Sequence, residues 1–211
     1  MKPTLIIMTG PQGSGNHLFS KAFGTNHNYW GWKSLQSKFW EGHDMEPFSQ
    51  YWKNSKKLID FNWSISNYFF TSISCPYFDN GVESIPKYSE FIIEAEKYAN
   101  IKILIIGRDQ TILHNQQQRV RSKHTTPVFL SKLVELNIDA YASQEMLYLY
   151  KISYLNSIET TLGIPTDLQT KSSDAFDTVL EKDANEKYIT HIETNWLDDH
   201  IKLASSKKEH I

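Results

Sequence analysis

The sequence has little cysteine, no long apolar run and almost no net charge. Cys75 is the only cysteine among 211 residues, which excludes an intramolecular disulfide and a cysteine-based zinc cluster. No run is long and apolar enough to cross a bilayer, and residues 1–8 do not resemble a signal peptide. We therefore expect a cytoplasmic protein without a membrane partner. The net charge of -2 gives no general attraction to nucleic acid, so any anion site must be local.

Short apolar runs alternate with amphipathic stretches along the chain. Residues 4–8 and 101–107 are β-branched and apolar, as in strands buried on both faces of a parallel sheet. A second strand is predicted at 56–66 and a weaker one at 188–193, and helices at 16–23, 87–99, 111–123, 127–138 and 144–164. This alternation predicts an α/β fold, a three-layer sandwich with a parallel sheet, in a single domain covering residues 1–211.

An aromatic-rich segment follows the first helix, and we expect it to form a helical insertion at about residues 28–57. Its tryptophans include Trp30, Trp32, Trp40 and Trp52. One interpretation is a core that covers the edge of the sheet. The other is a cleft wall that stacks an adenine or a sugar. The sequence leaves both open.

A glycine-rich stretch, MTGPQGSGNH, joins the first strand to the first helix. Gly10 and Gly15 have the spacing of the Walker A phosphate-binding loop. The residues between them are Pro11, Gln12, Gly13 and Ser14. Backbone N–H groups at such a helix start form an anion cradle, so we expect residues 10–16 to bind an anion. The alternative is a plain turn by which a strand enters a helix.

The two residues that would act on a γ-phosphate are replaced. Asn16 occupies the lysine position of the Walker pattern and His17 occupies the hydroxyl position. An amide brings no positive charge, and an imidazole nitrogen is a poor ligand for Mg²⁺. Both replacements disfavour γ-phosphate transfer, and no metal site is predicted.

The loop GPQGSGNHLF resembles the 5′-phosphosulfate loop of the sulfotransferases, which have the P-loop fold. Those enzymes transfer a sulfuryl group from 3′-phosphoadenosine 5′-phosphosulfate to a hydroxyl or amine without needing Mg²⁺. The segment KILIIGRDQTILHNQQQRVR (102–121) is similar to their strand, turn and helix that bind the 3′-phosphate. The resemblance implies that Arg108 and Gln116, or Asn115 in a shifted register, hold that phosphate. The acceptor would be a small molecule or a glycan.

This chain departs from the family pattern at three points. Gln12 stands where the family usually has lysine or arginine, and Gln110 replaces the proline of the Arg-Asp-Pro turn. The loop is also one residue longer. Arg108 itself could instead form an internal ion pair, with Asp60 or Asp109 as partner.

Two side chains are candidates for acid–base work. His17 could act as a base or a hydrogen-bond donor beside a bound anion, or it could be a spacer under the loop. Asp60 is predicted near the end of the second strand, where it could accept a proton from an acceptor hydroxyl. It could equally be an ordinary turn residue.

A short cationic stretch gives a second function class. Arg119 and Lys123 are four residues apart and would share one helix face, with Arg121 between them. Together they could hold a phosphate like the lid arginines of nucleotide kinases, which would use ATP with Mg²⁺. They could also form a solvated helix end. A third alternative is a non-catalytic P-loop binding module.

Overall fold

A parallel β-sheet runs through the centre of the protein. The computed structural model describes residues 2–32, 46–79 and 81–181. The strands are β1 (Thr4–Pro11), β2 (Tyr29–Trp30), β3 (Tyr68–Cys75), β4 (Tyr77–Asp79), β5 (Val82–Ser84), β6 (Asn100–Gly107) and β7 (Ala140–Ser143). The sheet has the order β2-β3-β1-β6-β7 with every pair parallel, while β4 and β5 form a separate antiparallel hairpin.

Helices cover both faces of the sheet. They are α1 (Asn16–Gly24), α2 (Ser49–Lys53), α3 (Tyr88–Ala95), α4 (Gln110–Arg121), α5 (Thr126–Lys132), α6 (Gln144–Thr161) and α7 (Ser173–Glu181). Short 3₁₀ helices lie at Ser55–Asp60, Leu133–Glu135 and Thr166–Leu168. None of the helices in the described ranges combines the length and the apolar character needed to cross a bilayer.

The side chains of β1 alternate between two cores, as the pleat of a strand requires. Ile6 and Met8 point into a core that α1, α6 and α7 cover. Leu5 and Ile7 point into a second core that α2, α3 and α5 cover. The three-layer α/β sandwich with a parallel sheet is therefore confirmed, and so are the predicted strands at 4–8 and 101–107.

The predicted strand at 56–66 is wrong. Its first half forms the 3₁₀ helix Ser55–Asp60, and the neighbouring strand of the sheet begins only at Tyr68. The side chain of Asn62 accepts hydrogen bonds from the backbone N–H and the hydroxyl of Ser64, at 3.1 and 2.6 Å. Such a turn competes with an extended conformation. The predicted strand at 188–193 lies outside the described residues.

The tryptophans of the described part of the aromatic segment are core residues. Trp52 stacks on Phe91 with ring centroids 3.8 Å apart, and Trp32 is 1% exposed. Trp30 contacts the rings of Phe48 and Phe69 on the face of β3. These three tryptophans therefore pack in the aromatic core, as the first interpretation expects, and Trp52 also lines a cleft beside β3. Trp40 lies outside the described residues.

The strand order creates a crevice between β1 and β3. The connection after β1 leads through α1 to β2, on the far side of β3. The connection after β3 crosses β1 in the opposite direction to reach β6. In open α/β sheets, ligands bind outside the carboxyl ends of the strands where neighbouring connections diverge in this way. The glycine loop follows β1 at this point.

Candidate functional site

The glycine loop has a backbone that only glycine adopts without strain. Gly13 and Gly15 have φ angles of 87° and 106°, in the left-handed region, and Gly15 is the N-cap of α1. A Cβ on Gly10 would lie 2.2 Å from the carbonyl oxygen of Ile106, because β1 and β6 approach closely there. This is the geometry that an anion cradle at the start of α1 needs. Anion binding itself stays a prediction.

Asn16 ties the loop to the neighbouring strand. Its side chain is 4% exposed, and Nδ2 donates hydrogen bonds to Ser74 Oγ at 2.9 Å and to the Gly10 carbonyl at 3.3 Å. Its Oδ1 accepts a hydrogen bond from Ser14 Oγ at 3.4 Å. The residue at the Walker lysine position is thus engaged inside the protein, bridging the crevice between β1 and β3.

His17 lies in the first turn of α1. Its ring meets Trp32 edge to face, with centroids 5.3 Å apart and an interplanar angle of 87°. The side chain is half-buried. The structure therefore places His17 next to the loop, in contact with the aromatic core. A catalytic role for it stays a prediction.

Arg108 is buried at the end of β6 and contacts the loop directly. Its guanidinium donates a hydrogen bond to the Gly13 carbonyl at 3.3 Å and a short one to Gln116 Oε1. Its Nε is 3.7 Å from Glu145 Oε1. Of the two candidates it is Gln116 that lies beside Arg108, whereas Asn115 is exposed on α4, and phosphate binding by either stays a prediction. The predicted phosphate-binding pair therefore adjoins the loop.

The carboxylate next to Arg108 is not one of the two expected. Asp109 caps α4, where its side chain accepts a hydrogen bond from the Ile112 N–H at 3.0 Å. Glu145 instead lies beside the guanidinium and also accepts from the Asp109 N–H at 3.0 Å. The sequence contained no sign of this partner, because Glu145 follows β7, a strand too short to be recognised.

Helix α4 braces the loop through a second glutamine. Gln117 donates from Nε2 to the Gln12 carbonyl at 2.8 Å and accepts at Oε1 from the Thr125 N–H at 2.9 Å. Gln117 is 2% exposed and Gln12 is 3% exposed. These bonds fix both the loop and the chain that follows α4. Helical periodicity gave no reason to single out Gln117.

Gln144 is a further loop neighbour that sequence reasoning missed. It is the first residue of α6 and is 1% exposed. Its side-chain carbon Cδ lies 3.1 Å from the position that a Cβ on Gly15 would occupy. Among the described residues, neither Nε2 nor Oε1 of Gln144 has a hydrogen-bond partner. The carboxamide is therefore buried next to the loop.

Three predicted site residues are not brought together with the loop. Asp60 is exposed at the end of a 3₁₀ helix that precedes the amino end of β3, not the carboxyl end. Ser122, with φ at 55°, ends α4 before Lys123 is reached, so Arg119 and Lys123 do not share a helix face. Lys123 is ion-paired with Glu83 at 2.6 Å, and Arg119 is exposed on α4.

A buried carboxyl group beside β3 was also missed. Glu46 is 2% exposed and accepts hydrogen bonds from the Phe48 N–H at 3.1 Å and the Ser72 N–H at 3.4 Å. Burial raises the pKa of Glu46 to about 8, although hydrogen bonds from Thr71 and from both N–H groups act to lower it. Ser72 is two residues before Ser74, about 7 Å along the strand.

Glu46 lines a small cleft at the carboxyl half of β3. The cleft has an empty volume of about 260 Å³, and Ser72, Tyr77 and Asp79 are among its lining residues. Within the described ranges, no group of three or more histidine, cysteine, aspartate or glutamate side chains is placed to hold a metal ion. The cleft and the glycine loop thus adjoin the same strand.

Comparisons with known proteins give distant structural neighbours. No family model matches the chain, and no curated protein matches it. A solved structure to which it is similar is the sulfotransferase domain from the Synechococcus PCC 7002 olefin synthase. The two are 11% identical with a TM-score of 0.44, over 83% of this chain and 77% of that one. The fold assignment rests on the sheet and the glycine loop of this chain.

Proposed function

We propose that this protein is a sulfotransferase-like transferase that uses 3′-phosphoadenosine 5′-phosphosulfate and does not need Mg²⁺. The observation that carries the proposal is that Asn16, at the Walker lysine position, uses its side chain for hydrogen bonds inside the protein. The loop keeps its left-handed glycines, while the side chain at the lysine position bonds to Ser74 and Gly10. An anion cradle that has no lysine or arginine among its own residues suits a transferred group of low charge.

The charge of the loop supports a sulfuryl group over a γ-phosphoryl group. Residues 9–20 contain no aspartate, glutamate, lysine or arginine. Phosphoryl transfer depends on neutralisation by a lysine and a metal ion, and both anchoring positions are replaced here. A sulfuryl group carries less negative charge than a phosphoryl group, so hydrogen bonds from backbone N–H groups go further towards stabilising it.

The residues around the loop fit the two anionic groups of this cofactor. Residues 10–16 would hold the phosphosulfate, and Arg108 with Gln116 would hold the 3′-phosphate. When bound, the cofactor supplies the activated sulfuryl group. Arg108 is buried and already points at the Gly13 carbonyl and Gln116. Exchanging a neutral acceptor for a phosphate would strengthen its hydrogen bonding, because charge-assisted bonds are the stronger ones.

We assign the proton-accepting role to Glu46 in preference to Asp60. A base is most effective when its pKa is close to the working pH, and burial brings the pKa of Glu46 to about 8. The cleft beside Glu46 lies at the carboxyl half of β3, on the strand that Asn16 of the glycine loop contacts, so an acceptor held there would be near the loop. The proton of an acceptor hydroxyl or amine would go to the carboxylate. His17 is the second candidate.

Ligand binding tests the proposal. Adenosine 3′,5′-bisphosphate and ATP are titrated by calorimetry, each with and without Mg²⁺. We expect the bisphosphate to bind more tightly and independently of Mg²⁺. Tighter, Mg²⁺-dependent binding of ATP would contradict the proposal and favour a nucleotide kinase. Binding of neither nucleotide would favour a non-catalytic module.

Two arginine variants sharpen the distinction. Arg108→Ala should weaken bisphosphate binding by at least about tenfold, because a buried charge-assisted bond is lost. Arg119→Ala should leave it unchanged, since that side chain is exposed on α4. A kinase lid predicts the reverse, with ATP affinity falling in the Arg119 variant.

A further inference from the structure

The carboxamide of Gln144 breaks a general rule of protein interiors. Buried side-chain amides are almost always hydrogen-bonded, since an unpaired polar group costs free energy when it leaves water. Gln144 is 1% exposed, and neither of its amide atoms has a partner among the described residues. An aliphatic side chain of the same length would fill this space without that cost. The amide therefore calls for a reason other than packing.

The position of Gln144 points to the loop. Its Cδ and Oε1 lie 3.1 and 3.2 Å from where a Cβ on Gly15 would stand, so the amide lies directly over the residue that starts α1. Its backbone is fixed, because Ser143 caps α6 and also donates to Glu145 Oε2 at 2.8 Å. The side chain of Gln144 thus lies at the loop because the residue directly follows the end of β7.

A second amide on the same loop shows the same irregularity. Gln12 is 3% exposed, and its Oε1 has no hydrogen-bond partner among the described residues. Neutral amides therefore flank a loop whose own residues include no lysine or arginine, while the guanidinium of Arg108, which the proposed function assigns to the 3′-phosphate, contacts it at the Gly13 carbonyl. A ligand with both hydrogen-bond acceptors and donors, such as an oxyanion with an adjacent hydroxyl, would satisfy them.

We propose that Gln144 is a ligand-binding residue of the glycine loop, whose unpartnered carboxamide turns so that Nε2 replaces Oε1 beside Gly15 and donates a hydrogen bond to the oxyanion held there. This inference rests on the proposed function, which places a phosphosulfate or phosphate group on the loop. It deepens that function by naming how the anion is chosen. The loop selects an oxyanion of low charge by neutral hydrogen bonds, and a polyphosphate gains little from it.

The test uses a substitution that keeps the shape of the side chain. Gln144→Met has a similar length and no hydrogen-bonding amide. We expect the affinity for adenosine 3′,5′-bisphosphate to fall about tenfold, while the urea midpoint of the free protein rises because an unpaired buried amide is removed. Gln144→Glu, which puts a negative charge at the same place, should weaken binding more than the methionine does.

Gln169→Met is the matched control. Gln169 is also buried, but its Nε2 donates to Thr160 Oγ1 at 2.8 Å and to the Ile164 carbonyl at 3.3 Å. That variant should lose stability and keep its affinity. A structural role for Gln144 would give the same result as this control, so the two variants must change in opposite directions.

The outcomes separate the inference from the proposed function. If the parent binds the bisphosphate and Gln144→Met binds it equally well, the inference is overturned and the function stands. If the parent binds inorganic sulfate but not the bisphosphate, the cofactor assignment fails, and a tenfold loss of sulfate affinity in Gln144→Met still supports the inference. If the parent binds neither, both are overturned.

Discussion

The buried carboxyl group of Glu46 makes stability depend on pH in a predictable direction. Burial raises its pKa from the ordinary 4.5 to about 8 in the folded protein. Between these values the folded state holds a proton that the unfolded state has released. The free energy of unfolding must therefore fall as the pH rises from 4.5 to 8. Below pH 4.5 the stabilisation from this group is fully present. Above pH 8 its ionisation no longer makes the free energy of unfolding depend on pH.

The magnitude follows from the width of that window. One pH unit corresponds to about 1.4 kcal/mol, so the full interval corresponds to up to about 5 kcal/mol. This is comparable with the whole stability of a small domain, roughly 5–15 kcal/mol. Burial also raises the pKa of Cys75, to about 11, so that thiol titrates outside the window.

Urea unfolding at pH 5, 7 and 9 measures the effect. Glu46→Gln cannot ionise and keeps an acceptor oxygen for the N–H groups of Phe48 and Ser72. We expect the variant to lose little at pH 5 and to become more stable than the parent at pH 9. Glu96→Gln, an exposed position, should follow the parent at every pH. Parallel curves for the parent and Glu46→Gln would refute the reasoning.

Three further substitutions test the loop and the core. Gly15→Ala should abolish bisphosphate binding in calorimetry. Its control is Gly163→Ala, which also has a left-handed backbone, with φ at +78°, but has open space around it. Both variants should lose ~1–2 kcal/mol of stability in urea, and only Gly163→Ala should keep binding. Asn16→Asp should weaken bisphosphate binding at least about tenfold, because it removes two donated bonds and adds negative charge; unchanged affinity would contradict an anion on this loop. Tyr29→Phe removes a 2.6 Å bond to buried Glu159 and should cost about 1.5–3 kcal/mol in urea unfolding; a loss below ~0.5 kcal/mol would contradict this.

The part of the fold that was predicted is the part governed by local rules. β1 and β6 are continuous apolar runs because both of their faces are buried in the two cores. The glycines between β1 and α1 mark a turn that needs positive φ at Gly13 and Gly15. Both signals are contained in a few consecutive residues. The centre of the sheet and its loop could therefore be recognised from the sequence.

The remaining strands depend on their neighbours. β7 has only four residues, and Tyr141 in its centre is 69% exposed, so its pattern is neither continuous nor strongly apolar. It is a strand because it pairs with β6 from Leu104 to Gly107. β3 was placed too early because residues 56–66 contain as many apolar side chains as the true strand, five in each, although they are spread over eleven positions instead of eight. Tertiary pairing decided between them, which propensity alone cannot anticipate.

Gln144 and Glu46 were missed, and the bonding partner of Asn16 was not foreseen, because each depends on contacts between residues far apart in the sequence. Asn16 bonds to Ser74, 58 positions away, and Gln144 lies against Gly15 from the start of a distant helix. Glu46 is buried by contacts with β3. Each breaks a local expectation: an amide at a cation position, an unpaired amide and a carboxyl group in the interior. Such exceptions reduce stability, and they persist in proteins where function compensates for them. A substitution that stabilises the free protein at Gln144 or at Glu46 should therefore weaken ligand binding or transfer, and this coupling distinguishes a working site from a tolerated defect.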